Sequence, residues 1–211
     1  YGLLTTPAIY KKDLGSTIYP KPQLQPASYV VSQITQPDGI GGTKTTNYKY
    51  EGLRFDIKNK RSLGFAKTII ENNKTGIRSE TSYNQTYPFI GMVSSSSTEL
   101  MSSGEVLSET TIDGFSSKDT SGLQTLYPYT TSSIEKTYLL DDNQQRVGTK
   151  TVKRTVANEF DGDNELVKKT STVKTYEGDV ESVAFNSTTV SDYENGYADR
   201  RQGEVTFVTA T

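Results

Sequence analysis

The 211-residue chain has no cysteine, no histidine and no tryptophan, and only two methionines. Without cysteine there is no disulfide and no thiolate ligand, so packing and backbone ladders must hold the fold. Without histidine, a Ser-His-Asp triad, a Cys-His pair, a His-ligated zinc site and a histidine proton shuttle are all impossible within this segment. Carboxylate pairs, Lys, Tyr and Arg are what remain for catalysis. No apolar run approaches the roughly 20 residues of a spanning helix. The opening YGLLTTPAIY lacks the charged-then-apolar order of an export signal. Since the chain does not begin with Met, we read it as a piece of a longer polypeptide with any export signal outside it. Charge of one sign is also missing: 23 Lys and Arg against 25 Asp and Glu leave a net charge of −2. That balance gives no general drive toward nucleic acid or an anionic membrane.

What is present is hydroxyl and phenol. Hydrophobic residues make up only 32% of the chain, while Tyr occurs 14 times and Phe seven. A chain this polar risks disorder, and the Tyr content argues against it. Pro7, Pro20, Pro22 and Pro26 punctuate residues 1–27, which predicts an irregular, extended lead-in draped on something. Then SYVVSQIT, QPDGIGG and TKTTNYKYEG read as strand, turn and strand. Within residues 28–93, IRSETSYNQTY alternates, with Ile77, Ser79, Thr81 and Tyr83 on one face and Arg78, Glu80 and Ser82 on the other. Over residues 94–211, SSSSTELMSSGE fits either a flexible linker or a strand pair around SSG. TKTVKRTVANEF and ELVKKTSTVKTYEGDVESVAF look like neighbouring antiparallel strands. Short helices are conceivable only near Ser191–Arg201 and Leu123–Tyr127. The fold class expected is all-β, with long antiparallel strands in a curved sheet or sandwich.

Each candidate for chemistry has a plain structural alternative. Asp141-Asp142 and the run EFDGDNE, with Glu159, Asp161, Asp163 and Glu165, could supply a glycosidase carboxylate pair. Asp161, Asp163 and Glu165 could also hold calcium, although the twelve-residue ligand pattern is absent. Solvated turn acids are the simpler account. Lys58, Lys60 and Arg61 beside Phe65 could contact nucleic acid, but on a chain of this charge they fit a solvated strand end. TGIRSE and GIGG lack phosphate-loop spacing. Exposed Tyr on a flat sheet could stack on glycan or protein, an adhesin-like module that would show three or more coplanar rings. The alternative is Tyr at strand ends with the ring buried.

The run TTNYKYEGLRFDIKNKRSLGFAKTIIENNKTGIRSETSYNQTYPFIG carries a more specific signal. It resembles a signature of bacterial Rhs-type and SpvB/Tc toxin B-component proteins. In that family a Tyr-x-Tyr strand precedes an Arg-containing turn, a GF element, a Thr-Gly turn and a Tyr-x-Gln-x-x-Pro-x-x-Gly ending. The matching positions are Tyr48 and Tyr50, then Arg61, Leu63, Gly64 and Phe65, then Thr75 and Gly76, then Tyr83, Gln85, Pro88 and Gly91. The resemblance is strongest over residues 28–93 and weak between 94 and 185. The chain departs from the pattern at Lys60-Arg61-Ser62 and at Tyr197-Ala198, where the family commonly carries Trp.

The resemblance implies a section of a hollow Rhs-type β-cocoon, lying between a β-propeller region and the Rhs repeats and enclosing a toxic cargo. It implies a secreted or bacterial cell-surface location and no enzymatic role, with no cofactor. The partners expected are other segments of the same polypeptide and a cargo toxin or translocation component, with no nucleic acid and no membrane span. On this reading the stretch from 58 to 91 is an architectural joint. Its glycines allow close backbone approach, Phe65, Tyr87 and Phe89 fill an inner layer, and Arg61 pins a loop by bidentate hydrogen bonds. Phe65→Ala then costs about 3–5 kcal/mol if that ring is buried.

Overall fold

The computed structural model describes residues 1–13, 19–120, 125–160, 166–196 and 201–210, with backbone alone at 120, 125, 194–196 and 201–210. The turn and strand signals of the sequence become an almost wholly β chain, and among the described residues the only helical turn is a 3₁₀ turn at Val183–Phe185. The residues group into two units. One comprises 1–109 with 142–145, the other 110–141 with 146–211.

In the first unit the strands are β1 (Gly2–Leu3), β2 (Tyr10–Lys11), β3 (Tyr29–Val30), β4 (Gln33–Pro37), β5 (Thr43–Glu51), β6 (Arg54–Asp56), β7 (Arg61–Gly64), β8 (Lys67–Asn72), β9 (Ile77–Tyr83) and β10 (Val93–Leu100). The main sheet runs β5-β8-β9-β10, with β2 and β4 both paired to β5; β1 pairs with β3 and β6 with β7. The β4–β5 hairpin is closed by chemistry legible in QPDGIGG: the Asp38 carboxylate accepts the N–H groups of Ile40 at 3.0 Å and Gly42 at 2.8 Å. Lys74 reaches the same carboxylate at 2.9 Å from the β8–β9 turn. That ammonium first, and then the two N–H groups, hold the Asp38 pKa below the ordinary carboxylate range.

Period-two alternation sorts this sheet into two faces. Lys49 pairs with Glu71 at 2.7 Å, Lys67 with Glu80 at 2.7 Å, and Arg78 with both Glu80 and Glu99. Arg78 stands directly opposite Glu99 in the β9–β10 register. Such cross-strand pairs are the local stabilising unit of a sheet. The buried hydrophobic residues of the described chain are Leu4, Tyr10, Leu63 and Ile69, of which Ile69 stands on the charged face, in register with Lys49 and Glu80. Two of them belong to the Pro-punctuated lead-in. Tyr10 is 2% exposed, and its strand runs parallel to β5, opposite Tyr50.

The remaining strands are β11 (Val106–Thr120), β12 (Thr125–Leu140), β13 (Arg146–Phe160), β14 (Leu166–Glu177), β15 (Val180–Glu181), β16 (Ser187–Gly196) and β17 (Arg201–Ala210). In the second unit they follow the order β11-β12-β13-β14-β16-β17, with β15 added to β14. The β13–β14 pairing runs from Lys150 opposite Glu177 to Phe160 opposite Leu166, as the two long runs in the sequence suggested. SSG lies at the turn after β10, so the strand-pair reading of residues 94–105 holds over the linker reading. Where they are described, the two short helices considered from sequence are strand instead: Thr125–Tyr127 lies in β12, Ser191–Gly196 in β16 and Arg201 in β17, while residues 123–124 and 197–200 lie outside the described residues. Partner strands on either side satisfy the backbone and override weak local preference.

This sheet carries its strain on the surface. Lys153 and Lys174 are directly opposite each other, a repulsive pairing. Each finds another partner: Lys153 lies 4.8 Å from the centre of the Tyr176 ring, and Lys174 lies 3.4 Å from Glu181. The Asn186 side-chain amide donates to Glu181 at 2.8 Å, and this bond first, with Lys174 adding to it, lowers the Glu181 pKa. No apolar side chain of this unit is buried among the described residues; only Thr151 and Thr175 are. Val147, Val180, Val183 and Phe185 are each at least 65% exposed.

Candidate functional site

The family-like positions bear on a joint at which the chain leaves β5, makes the β6–β7 hairpin, and re-enters the sheet as β8. At each end of that excursion stands a glycine with positive φ, Gly52 at 64° and Gly64 at 74°. A Cβ on Gly52 would fall 2.8 Å from the Ala66 methyl and 2.6 Å from Asp13 Oδ2, so only glycine fits. Gln85 closes the joint. Its amide nitrogen donates to the carbonyls of Gly52 and Gly64, both at 2.8 Å. One side chain thus ties together the two glycine carbonyls, that of Gly52 also accepting the Ala66 N–H at 3.2 Å.

Phe65 follows directly. Its ring centre lies 4.7 Å from that of Tyr50 and 6.3 Å from that of Tyr10. Phe65 is half-buried rather than buried. The cost of Phe65→Ala is therefore set at about 2 kcal/mol, below the range for a fully buried ring. Tyr10 anchors the group from below: its hydroxyl donates to the Leu24 carbonyl at 2.7 Å and accepts the Leu53 N–H at 3.0 Å. Burial raises the Tyr10 pKa, partly offset by the Leu53 N–H. Tyr50 donates to the Val31 carbonyl at 2.8 Å, and desolvation raises its pKa too. Tyr83 gives its N–H to Ala66 O at 2.8 Å, and its hydroxyl is 3.2 Å from Thr68 Oγ1.

Tyr50, Gly64, Phe65, Tyr83 and Gln85 therefore meet at one place. Arg61 acts at the neighbouring loop of residues 84–92, which closes through Gly91 N–H to Asn84 O at 2.8 Å. Among the described residues the expected bidentate bonds of Arg61 are not made. Asn59 already donates its backbone and side-chain N–H groups to Asp56, leaving Arg61 Nε at 4.0 Å from that carboxylate. The guanidinium lies instead 4.6 Å from the centre of the Tyr87 ring. Tyr87, expected in the inner layer, is 48% exposed, and its peptide to Pro88 is cis. Tyr48, half-buried in β5, donates its backbone N–H to Ser32 O at 2.9 Å. Gly76 stands apart in the β8–β9 turn, with its carbonyl accepting Met101 N–H at 2.7 Å.

Sequence reasoning missed the lower half of the joint. Arg54 Nη2 lies 3.0 and 3.1 Å from the two oxygens of Asp13, and Asp13 N–H donates to Gln23 Oε1 at 3.0 Å. Asp56, 1% exposed, is kept ionised by its bonds to the Asn59 side chain and backbone, with Arg61 adding a smaller push in the same direction. Gly52 within YEGLRF was the available signal; nothing local marked Asp13 or Gln23.

Of the other candidates, Asp161, Asp163 and Glu165 lie outside the described residues. No group of three metal-type ligands forms among the described residues, and no helix there is long and apolar enough to cross a membrane. In the second unit Tyr127 and Tyr129 lie 6.0 Å apart at 30°, with Phe160 completing the cluster 6.3 and 5.9 Å away. This is two tyrosines and a phenylalanine, not three coplanar tyrosines.

No protein-family model matches the chain, and no curated protein sequence does. The strand architecture has counterparts among solved structures: the chain shares its all-β fold with chains of Tc toxins. The crystal structure of TcdB2-TccC3 matches with a TM-score of 0.60 at 10% identity, over 85% of this chain and 13% of that one. The structure of TcdB2-TccC3-Cdc42 gives 0.59 at 10% identity, over 89% and 13%. The Photorhabdus luminescens Tc holotoxin pore gives 0.56 at 7% identity, over 76% and 11%. The likeness is one of fold, and this chain spans a small fraction of the length of those it matches.

Proposed function

We propose that the chain is a non-enzymatic wall segment of a larger extracellular toxin of the Rhs/Tc B-component kind, part of a β shell around a toxic cargo. The observation that carries this reading is the second unit: long antiparallel strands whose described apolar side chains are never buried. A sheet in that condition is one layer of a structure whose other layer or lumen lies elsewhere. The Tc-toxin likeness of the fold supports it. So does the pairing of Asp13, Asp38, Glu71, Glu80 and Glu99 with Lys or Arg, which suits structural roles for these acids. Its partners are then other segments of the same polypeptide, and cargo or translocation components of the assembly. Sequencing the parent reading frame on both sides tests this. A propeller before the segment and Tyr-Asp repeats after it are expected; a stand-alone frame with its own signal peptide would overturn the reading.

A further inference from the structure

Alternation along β12, β13 and β14 gives the second unit's sheet two unlike faces. On one, Lys136 stands opposite Thr151 and Thr151 opposite Tyr176, and in the next row Ile134, Lys153 and Lys174 are aligned. Polar groups on that face answer one another. Lys174 meets Glu181 at 3.4 Å, Lys168 meets Glu159 at 3.8 Å, and Arg146 lies 3.7 Å from the Tyr138 ring centre. The other face carries every second residue of β13 from Gly148 to Phe160. There Val152 stands opposite Thr175, Arg154 opposite Val173, Val156 opposite Ser171 and Phe160 opposite Leu166. At one end Tyr127 and Tyr129 join Phe160, with ring centres 6.3 and 5.9 Å away. At the other end Leu139 stands opposite Gly148, Val180 opposite Glu177, and the Phe185 ring centre lies 6.0 Å from Lys150 Nζ. Leu139, Val180 and Phe185 are all more than half exposed.

An apolar stripe left open to water marks a contact surface. From Gly148 to Phe160 it runs about 40 Å along β13, which suits a packed layer and not a small ligand. Its charges are of two kinds. Lys150 and Glu177 stand directly opposite each other. Arg154 and Lys169 form no ion pair among the described residues. We propose that this face is the inner contact surface of the second unit, covered by another segment of the same polypeptide: an apolar layer that sets acidic side chains over Arg154 and Lys169. The choice of occupant rests on the wall reading, under which most of the polypeptide lies outside this chain, as its span of 13% of the TcdB2-TccC3 chain suggests. A stripe this long also suits a partner joined by the chain itself, since a separate one would leave it bare before assembly.

The chain has no cysteine, so single introduced thiols report each face. Leu139→Cys and Val180→Cys mark the apolar face, Thr155→Cys and Lys174→Cys the polar one. Maleimide labelling, read site by site by peptide mass spectrometry, is compared in the isolated chain and in the full parent polypeptide. All of these variants should label quickly in the isolated chain. In the parent, Leu139→Cys and Val180→Cys should slow at least about tenfold, while Thr155→Cys and Lys174→Cys change by less than about threefold. Equal rates on both faces in the parent would overturn the proposal. So would protection of Leu139→Cys in the isolated chain, which would mean a second copy, or protection lost on deleting the cargo, which would make cargo the occupant. A stand-alone reading frame would overturn the wall reading and this inference together; fast labelling of the apolar face within a parent that carries the propeller and repeats would overturn this inference alone.

Discussion

In the first unit the chain repeatedly turns back on its own sheet: the lead-in returns with Leu4 and Tyr10, and the β6–β7 excursion returns with Leu63. In the second unit the described connections bury no apolar side chain: the turn at 182–186 folds back on Thr175 through hydrogen bonds alone, and Leu139, Val147, Val183 and Phe185 stay more than half exposed. Both units use the same strand-and-turn sequence grammar. What separates them is whether the connections supply a second layer, because a sheet face is buried only by something laid upon it. The first unit therefore holds a small core of its own. The second relies on ladders, cross-strand pairs and cation–ring contacts such as Arg146 at 3.7 Å from the Tyr138 ring centre.

Substitutions sharpen that contrast in descending order. Tyr10→Ala removes a buried ring and both bonds of its hydroxyl, and should cost about 3–5 kcal/mol in denaturant unfolding. Gln85→Ala removes its bonds to the Gly52 and Gly64 carbonyls, at about 1–3 kcal/mol. Phe65→Ala should fall near 2 kcal/mol in the same assay. Phe185→Ser, by contrast, should change the stability of the chain by less than about 0.5 kcal/mol. A cost above about 1 kcal/mol there would mean that the second unit packs a core of its own.

Acid acts on both units through lowered carboxylate pKa values. Asp38, Asp56 and Glu181 are ionised and bonded in the folded chain. Each therefore stabilises the fold above the unfolded carboxylate range, and that contribution is lost as pH falls through the lower folded pKa. Melting temperature should stay level from pH 7 to 5 and fall below about pH 4. Asp56→Asn should flatten part of the fall.

The strands were legible because their signals are local. IRSETSY alternates, DGIGG turns, and the two long Thr- and Lys-rich runs pair as neighbours. The joint was legible in part. Gly64, Phe65 and Gln85 stand in the quoted run and meet in space, whereas Arg61 took a ring where hydrogen bonds were expected. What stayed hidden was long range. Tyr10 reads as one residue of a Pro-rich lead-in, and only the parallel pairing with β5, forty residues on, makes it the centre of the core. The Asp13–Arg54 contact is of the same kind.

The most direct test of the central claim is hydrogen exchange on the isolated 211-residue chain, read strand by strand. The account predicts strong protection in β5, β8 and β9 and much faster exchange through β12, β13 and β14, because the latter lack a covering layer. Equal protection in the two units would contradict it, since the second sheet would then be stable without anything laid on its faces.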